Sequence, residues 1–190
     1  MSVNLPVSVL TAPDFIAFLR EQLPKDPRFA GVIVEVTEDE VVNDAKAIHE
    51  VSTQLKLYNV SISIDDFGLA YSSLSRLLEL PCVELKLDRS FVSNCSSDRL
   101  KHALCQTVVD LAHRVGSAVC AEGVENVDDL RSVIRMGCDT TQGFLFAKPL
   151  PPEIFVTKAI ALPSDCAELL AEIRRHSDGQ AQRTASARTA

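Results

Sequence analysis

Six short apolar runs, separated by longer stretches of helical periodicity, constrain the fold of this chain more than any other feature of its sequence. The runs are rich in β-branched residues and lie at 2–5, 32–36, 60–64, 83–87 and 118–121, with a weaker one at 138–141. Runs of this kind are typical of buried strands in parallel sheets. Strand and helix in alternation therefore predict an α/β fold with a parallel sheet.

The stretches between the runs keep their apolar residues on one helical face. The clearest stripe extends from Leu100 to Val115, and Gly116 and Gly137 follow the last two stripes as predicted helix ends. After residue 162 the pattern weakens. We expect one domain at 1–162, a short C-terminal helix at 163–176 and a disordered tail at 177–190, where little apolar beyond alanine remains.

The composition excludes several classes of protein. With 46% hydrophobic residues in 190, the chain is too apolar to be disordered throughout. No apolar run approaches the ~20 residues of a membrane span, so we expect no membrane partner. The net charge of −7 argues against binding to a nucleic-acid polymer, because such binding needs a basic surface.

The cysteines and the first residues bear on the compartment. The six cysteines include no C-x-x-C pair, which disfavours a zinc site. The N-terminus lacks the basic and apolar pattern of a signal peptide. We therefore expect reduced thiols, several of them in the core, and a cytoplasmic location.

Polar or charged residues follow the predicted strands on their carboxyl sides. They are Asn4, Glu35, Asp65, Asp66, Lys86, Asp88, Glu122 and Gln142. The carboxyl ends of parallel strands share one face, where active sites are built. Carboxylates that converge there cannot all stay ionised without cations, and hard oxygen ligands suit Mg²⁺ or Mn²⁺. The pattern predicts a metal-dependent site acting on phosphate, and two-metal chemistry is one form of it.

Each of these residues also has a purely structural interpretation. A single acid after a strand is most often the N-cap of the next helix, and Glu38 and Asp66 are open to that interpretation. The Asp-Asp-Phe-Gly stretch at 65–68 is compatible with a simple turn. For the whole set, coincidence is the weaker explanation, so we favour a site. The four histidines lie away from strand ends and are not expected to be ligands.

A series of short motifs resembles the EAL domain, the cyclic di-GMP phosphodiesterase family. The motifs are Val-Glu-Val-Thr-Glu at 34–38, Asp-Asp-Phe-Gly at 65–68, Tyr-Ser-Ser-Leu at 71–74, Leu-Lys-Leu-Asp-Arg-Ser-Phe-Val at 85–92, Ala-Glu-Gly-Val-Glu at 121–125, Gln-Gly-Phe-Leu-Phe at 142–146 and Lys-Pro at 148–149. The resemblance covers about residues 2–160. Each motif alone is weak, but the ordered series is specific.

The resemblance implies a TIM-like (β/α) barrel that cuts cyclic di-GMP to the linear dinucleotide with Mg²⁺ or Mn²⁺. By resemblance, Asn4, Glu35 and Asp65 are metal ligands, and Asp66 is a ligand of a second metal.

The same resemblance implies roles for the remaining residues. Lys86 matches the lysine that orients the attacking water, and Glu122 matches the proposed general base. Gln142 and Asp88 match supporting or substrate-binding positions. Glu38, with the loop after residue 66, resembles the element that couples ligand, metal and dimer contacts.

Three departures from the family pattern shape our expectations. The Glu-Ala-Leu tripeptide, whose glutamate is a metal ligand in the family, is absent from the sequence. The six predicted strands fall short of the eight of a closed barrel, so we expect an incomplete barrel that lacks its first part. An exposed apolar seam along the strand of Asn4 is then expected, with association to a missing N-terminal segment or to a second copy. Ala70 stands where the family usually has glycine, which predicts a reshaped loop.

These features leave more than one function open. The favoured one is an EAL-type cyclic di-GMP phosphodiesterase that is weak or inactive as the isolated chain. The alternative is a catalytically inactive module that binds cyclic di-GMP or a protein partner in bacterial second-messenger signalling. A further hypothesis is that Met1 is an internal methionine, or that the chain is a piece of a longer protein.

Overall fold

The structure, a computed structural model, describes residues 1–68 and 82–187. Its strands are β1 (Ser2–Asn4), β2 (Val32–Thr37), β3 (Val60–Phe67), β4 (Glu84–Leu87), β5 (Ala118–Ala121) and β6 (Thr140–Thr141). Its helices are α1 (Val7–Leu10), α2 (Phe15–Gln22), α3 (Glu38–Asn43), α4 (Ala45–Lys56), α5 (Arg89–Val92), α6 (Arg99–Arg114), α7 (Val127–Met136) and α8 (Pro152–Ala187). None of these helices is long and apolar enough to cross a membrane.

The six strands form one parallel sheet in the order of the chain, from β1 to β6. Crossover connections between parallel strands are right-handed, so a sheet whose order never reverses carries its helices on one side. This is the arrangement of a (β/α) barrel rather than of a doubly wound sheet. The predicted α/β fold of barrel type is therefore confirmed. Within the described residues the sheet is open, with β1 and β6 at its edges.

Alternate residues give the sheet two different faces. The face toward the helices is apolar and buried, and Val34, Ile62, Leu85 and Val119 are each at most 3% exposed. Residues between them, such as Lys86, point to the opposite face. Packing against the helices therefore uses only one side of each strand, and the other side is available for polar groups.

The helices begin and end at residues suited to those positions. Thr37 and Glu40 form a capping box at the start of α3, and Asn126 caps α7 through the N–H of Asp129. Gly137 ends α7 with a φ of 94°, a conformation that costs glycine nothing. The predicted helix ends at 116 and 137 are confirmed to within a residue.

The C-terminal segment differs from its prediction. One helix, α8, extends over Pro152–Ala187 and passes through Pro163, whereas the sequence predicts a helix at 163–176 and a tail from 177. The segment is rich in Ala, Glu, Leu and Arg, whose helix propensity favours continuation across a single proline. The helix shows no break at 162 or 176, so the predicted short helix and the start of the tail do not match its ends. The limit of the domain at 162 stays a prediction.

Strand β1 is an exposed edge of the sheet. All its residues are exposed, and the apolar Val3 is 39% exposed. An edge strand presents unpaired N–H and C=O groups to other chains. The expected self-association or association with a further segment stays a prediction. The expectations for Ala70 and for the motif at 71–74 lie outside the described residues.

Asp129, in the first turn of α7, is a buried acid that the sequence did not identify. Its carboxylate accepts hydrogen bonds from the N–H groups of Asn94 at 2.9 Å and Ser96 at 3.0 Å, and from Nδ2 of Asn126 at 2.7 Å. Burial raises the pKa of Asp129, but these hydrogen bonds outweigh burial and hold the pKa below its ordinary value. The carboxylate thus fastens the turn before α6 to the start of α7.

We expect Asp129→Asn to lower the free energy of unfolding by about 2 kcal/mol at pH 7, because the amide places a donor against N–H groups. Since the folded-state pKa is lowered, the carboxylate's contribution is present above the unfolded pKa of about 3.9 and is lost as the pH falls through the folded-state pKa. Urea denaturation should therefore show that the difference in free energy of unfolding between the variant and the unmodified chain becomes smaller below about pH 4.

The matched control is Asp128→Asn, which changes an exposed neighbour paired with Arg131. It should cost less than about 0.5 kcal/mol, as exposed ion pairs contribute little. Equal destabilisation by the two variants would contradict the role given to Asp129.

Candidate active site

Lys86 lies at the centre of the carboxyl end of the sheet. It is 3% exposed, and its ammonium contacts carboxylates from three other strands or strand ends. Nζ lies 2.9 Å from Oε2 of Glu35, 3.3 Å from Oδ1 of Asp65 and 2.5 Å from Oε1 of Glu122. Glu35 is on β2, Asp65 is on β3, and Glu122 directly follows β5. The structure therefore brings these four predicted residues together.

The carboxylates decide the protonation state of this lysine. Burial alone lowers the pKa of Lys86. Hydrogen bonds to Glu122 and Glu35 and the charges of Glu122 and Asp65 outweigh burial, so the pKa is raised above its ordinary value. Lys86 is consequently a fixed positive charge at neutral pH and not a proton acceptor.

Two paired loops hold Gln142 beside Glu122. Nε2 of Gln142 donates a hydrogen bond to Oε1 of Glu122. The N–H of Val124 donates to the carbonyl of Gln142 at 3.0 Å, and the N–H of Leu145 donates to the carbonyl of Val124 at 3.0 Å. A Cβ at Gly143 would lie 2.2 Å from the Val124 oxygen, so this close pairing requires glycine. The two loops therefore position the amide against the carboxylate.

A bulge at the end of β3 brings two consecutive carboxylates to one place. In a regular strand Asp65 and Asp66 would point to opposite faces. The pairing of β3 with β4 shifts between Ile64 and Phe67, and Asp66 has a φ of 54°. Carboxylate oxygens of Asp65, Asp66 and Glu122 lie within 4.8 Å of one another as a result.

The donors of this cluster fit a hard divalent cation. They are all carboxylate oxygens, which suit Mg²⁺ or Mn²⁺ better than zinc. Burial raises the pKa of Asp66, and the charges of Asp65 and Asp88 raise it further. Burial also raises the pKa of Glu122, although contact with Lys86 lowers it. The acids outnumber the ammonium, and a divalent cation would neutralise the excess negative charge.

Comparison with known proteins gives the family. The family model described as the EAL domain matches residues 1–149. The chain belongs to the EAL domain family. The predicted resemblance is confirmed over the part of the chain that carries the strand-end residues.

Several curated relatives of this EAL domain have named activities. The bifunctional diguanylate cyclase/cyclic di-GMP phosphodiesterase MucR of Pseudomonas aeruginosa is 41% identical over 64% of this chain and 18% of MucR. The cyclic di-GMP phosphodiesterase RocR of the same bacterium is 35% identical over 67% of this chain and 32% of RocR. The chain thus spans about a fifth to a third of the length of these relatives.

Solved structures of the family have a similar fold. The PaMucR phosphodiesterase in complex with c-di-GMP matches 81% of this chain and 63% of that chain, with a TM-score of 0.70 and 36% identity. The manganese and cy-diGMP complex of BlrP1 from Klebsiella pneumoniae matches 78% of this chain and 38% of that chain, with a TM-score of 0.68 and 31% identity. EAL proteins similar to this chain therefore hold the cyclic dinucleotide, in one case with a divalent cation.

Three predicted residues of this EAL domain lie around the cluster. Asn4 on β1 is exposed and in register with Glu35. Oε2 of Glu38 accepts a hydrogen bond from the N–H of Gly68 at 2.9 Å, which ties α3 to the end of β3. Asp88 is the N-cap of α5. These contacts are structural, and the roles of the three residues toward metal or substrate stay predictions.

The sequence did not single out two charged residues beside the cluster. Nη2 of Arg89 lies 2.9 Å from Oε1 of Glu125. Both residues line a cavity of about 600 Å³ that also borders Glu122 and Gln142. Their positions, directly after Asp88 and three residues after Glu122, are the signal that could have identified them.

We expect Lys86→Met to lower the free energy of unfolding by about 3 kcal/mol in EDTA at pH 7, because the carboxylates around it lose their cation. Millimolar Mg²⁺ should recover part of this loss, since the cluster would then bind the metal in place of the ammonium. Lowering the pH from 7 to 5 should also narrow the deficit, because protonation removes the repulsion between the acids. Thermal denaturation with EDTA or Mg²⁺ measures each effect.

The matched control is Lys46→Met, which removes an exposed lysine that pairs with Glu50. It should change stability by less than about 0.5 kcal/mol in either solution. If the Lys86→Met protein melted at the same temperature as the unmodified chain in EDTA, the claim that this ammonium stabilises the carboxylates around it would be refuted.

Proposed function

We propose that this EAL domain hydrolyses cyclic di-GMP to the linear dinucleotide in a reaction that depends on Mg²⁺ or Mn²⁺. The observation that carries the proposal is the contact of Lys86 with three carboxylates, next to the oxygen cluster of Asp65, Asp66 and Glu122. MucR and RocR are cyclic di-GMP phosphodiesterases, which supports the choice of substrate.

The residues proposed to hold the metal are Asp65 and Asp66, with Glu35 and Asn4 as further ligands. Their oxygens form the hard donor set that these cations prefer. A bound divalent cation would supply Lewis-acid stabilisation of the charge that develops on the phosphodiester. The number of bound ions, one or two, depends on how many of these oxygens coordinate each ion.

Lys86 and Glu122 act on the attacking water in this proposal. Lys86 now contacts three carboxylates with its three N–H groups, so a divalent cation that took over Asp65 would free one N–H to orient the water oxygen. The ammonium would also offset negative charge in the transition state. Glu122 accepts a proton from the water while the water oxygen forms its bond to phosphorus. Burial raises the pKa of Glu122, which makes it a stronger base, while Lys86 favours its ionised form. One phosphorus–oxygen bond of the ring then breaks, and the leaving sugar oxygen takes a proton from solvent.

Gln142 restricts Glu122 to one orientation. Its Nε2 donates to Oε1 of Glu122, the same oxygen that contacts Lys86. The other oxygen, Oε2, is the one we propose as proton acceptor. A side chain held by two donors is pre-organised, and less of its freedom is lost during the reaction.

A second function, binding of cyclic di-GMP without turnover, is favoured by one observation. The Glu-Ala-Leu tripeptide is absent from the 190 residues, and its glutamate is a metal ligand in the family that the sequence resembles. A two-metal site without one carboxylate loses charge where the water must be activated. We therefore propose slow turnover by this chain.

We also propose a setting for the activity. The chain acts in the cytoplasm of a bacterium in second-messenger signalling, and its six cysteines are free thiols in the structure, which suits a reducing compartment. Self-association through the exposed edge of β1 is the proposed route to a homodimer.

The decisive experiment follows linear dinucleotide production by chromatography with Mg²⁺, Mn²⁺ or EDTA. We expect slow turnover with either metal and none in EDTA. Joining a segment that carries the family's Glu-Ala-Leu strand should raise the rate roughly a hundredfold, by analogy with the loss of one preorganised electrostatic group. Glu122→Gln in the joined protein should lower kcat at least about a hundredfold.

Binding measured on the same proteins separates the two functions. Affinity for cyclic di-GMP without turnover in either form would favour the binding module. If the proteins showed no affinity for cyclic di-GMP and no turnover, both functions would be refuted. Asp110→Asn, on the exposed side of α6, is the control and should leave kcat unchanged.

A further inference from the structure

Helix α8 carries a row of apolar residues that is exposed to solvent. The row consists of Val156, Ile160, Pro163, Ala167 and Leu170, and we call it the outer stripe. All five residues are exposed, Ile160 to 75% and Val156 to 61%. A single exposed apolar side chain is common, but a row of them along one helix face is typical of a contact surface.

The chain itself contacts α8 through a different face of the helix. Phe155, Ala159 and Leu162 line the cavity beside the acidic cluster, and Leu169 packs against the core. At about 100° per residue, these four lie roughly 100° around the helix from the outer stripe. A helix that packs on one surface typically has an apolar face of about 100°, whereas the two faces of α8 together cover about 160°. The outer stripe therefore calls for a second surface.

The spacing of the outer stripe is that of helices that pair with other helices. Its members follow one another after four, three, four and three residues. This is the spacing of the a and d positions of a coiled coil. The positions on its solvent border are Thr157, Ser164 and Ala171, which carry no charge. A partner helix can therefore lie along the stripe without burying a charge.

The outer stripe is its own complement when it is reversed. In an antiparallel pair of identical stripes, the large Ile160 of each copy lies opposite the small Ala167 of the other. Val156 lies opposite Leu170, and Pro163 lies near its own copy at the centre. Large and small side chains in facing layers interdigitate. A parallel pair would instead place Ile160 on Ile160 and Ala167 on Ala167, which crowds one layer and leaves a void in the other.

Charge favours the same partner and the same orientation. Glu153 precedes Ile160 by seven residues and Arg174 follows Ala167 by seven, so both continue the repeat, one at each end. In the antiparallel pair, position 153 of each copy lies opposite position 174 of the other, and the two opposite charges meet twice. A parallel pair would set like charges against each other at both ends. Complementary charges fix register and orientation.

We propose that α8 pairs in antiparallel orientation with α8 of a second copy of this chain, through the outer stripe. Such a two-fold contact uses the same surface on both copies and closes as a dimer. From Val156 to Leu170 the stripe is about 21 Å long, and a helix is about 10 Å wide. This strip is small beside the roughly 800 Å² per partner of a standard interface. The dimer is therefore weak, with a dissociation constant on the order of tens of micromolar.

This pairing is independent of the proposed hydrolysis and of the contact proposed at β1. Strand β1 forms one edge of the sheet, and α8 follows β6, which forms the other edge. The two contacts therefore use different surfaces and can be removed one at a time.

Sedimentation velocity of the 190-residue chain between about 5 and 200 μM measures the pairing, and the dimer population should rise over this range. Ile160→Glu should weaken dimerisation at least about tenfold, because each copy would bury an unpaired carboxylate. The matched control is Leu57→Glu, at an apolar residue that is 80% exposed at the end of α4. It should leave the dissociation constant unchanged. Melting temperatures verify that both variants are folded.

An exchange of charges tests the partner and the orientation together. Glu153→Arg and Arg174→Glu should each weaken dimerisation roughly three- to tenfold, because like charges then meet twice in each dimer. The double variant should restore the dissociation constant of the unmodified chain. An equal effect of Ile160→Glu and Leu57→Glu, or a double variant no better than the single ones, would overturn the pairing.

Val3→Lys separates this contact from the one proposed at β1, because a lysine on an edge strand opposes strand pairing. Association that persists in Val3→Lys and is lost in Ile160→Glu supports the α8 pair. If Val3→Lys abolishes association and Ile160→Glu does not, the α8 pair is wrong and the β1 contact stands. A chain that stays monomeric up to about 200 μM refutes both contacts, and turnover of cyclic di-GMP, measured separately, decides the proposed function.

Discussion

The burial of one ammonium group organises the carboxyl end of the sheet. Lys86 is 3% exposed, and an ammonium removed from water is costly unless carboxylates surround it. Those carboxylates come from β2, β3 and the end of β5, so these strands must keep their register with β4. A slip of one residue would turn Glu35 toward the helices and Val34 away from them. The apolar packing on one face and the ion cluster on the other therefore stabilise the same register, and neither is satisfied alone.

Local departures from regular structure bring together side chains that the alternation along a strand would keep apart. Two adjacent acids on an ideal strand point apart, and the bulge at the end of β3 brings Asp65 and Asp66 together. The backbone contact at Gly143 has a similar effect on the last two strands, because it lets the loop after β6 approach closely enough to set Gln142 against Glu122. Both features depart from regular backbone geometry and bring oxygen atoms close together, which is typical of a functional site.

The fold could be predicted because its signals are local. An apolar run followed by a polar residue predicts a strand and its end, and the six runs became the six strands of the sheet. The common location of Glu35, Asp65, Lys86 and Glu122 follows from parallel topology alone. The contacts of Asp129 could not be predicted in this way, since they depend on how the turn before α6 meets α7. The bulge at Asp66 depends likewise on its pairing with β4, and periodicity within one segment contains no such information.

Charge divides the site into two parts that would act differently on the proposed ligand, a cyclic dinucleotide. The acids of the cluster outnumber Lys86 and repel phosphodiester oxygens, whereas Arg89 and Lys148 on the cavity wall attract them. The two parts adjoin, because Glu122 belongs both to the cluster and to the cavity wall. In the proposed reaction the cationic wall would contribute mainly to binding, and neutralisation of the acidic cluster would contribute mainly to chemistry. Loss of one carboxylate from the cluster would then weaken the proposed turnover more than the proposed binding, because turnover needs the cation that the carboxylates would hold.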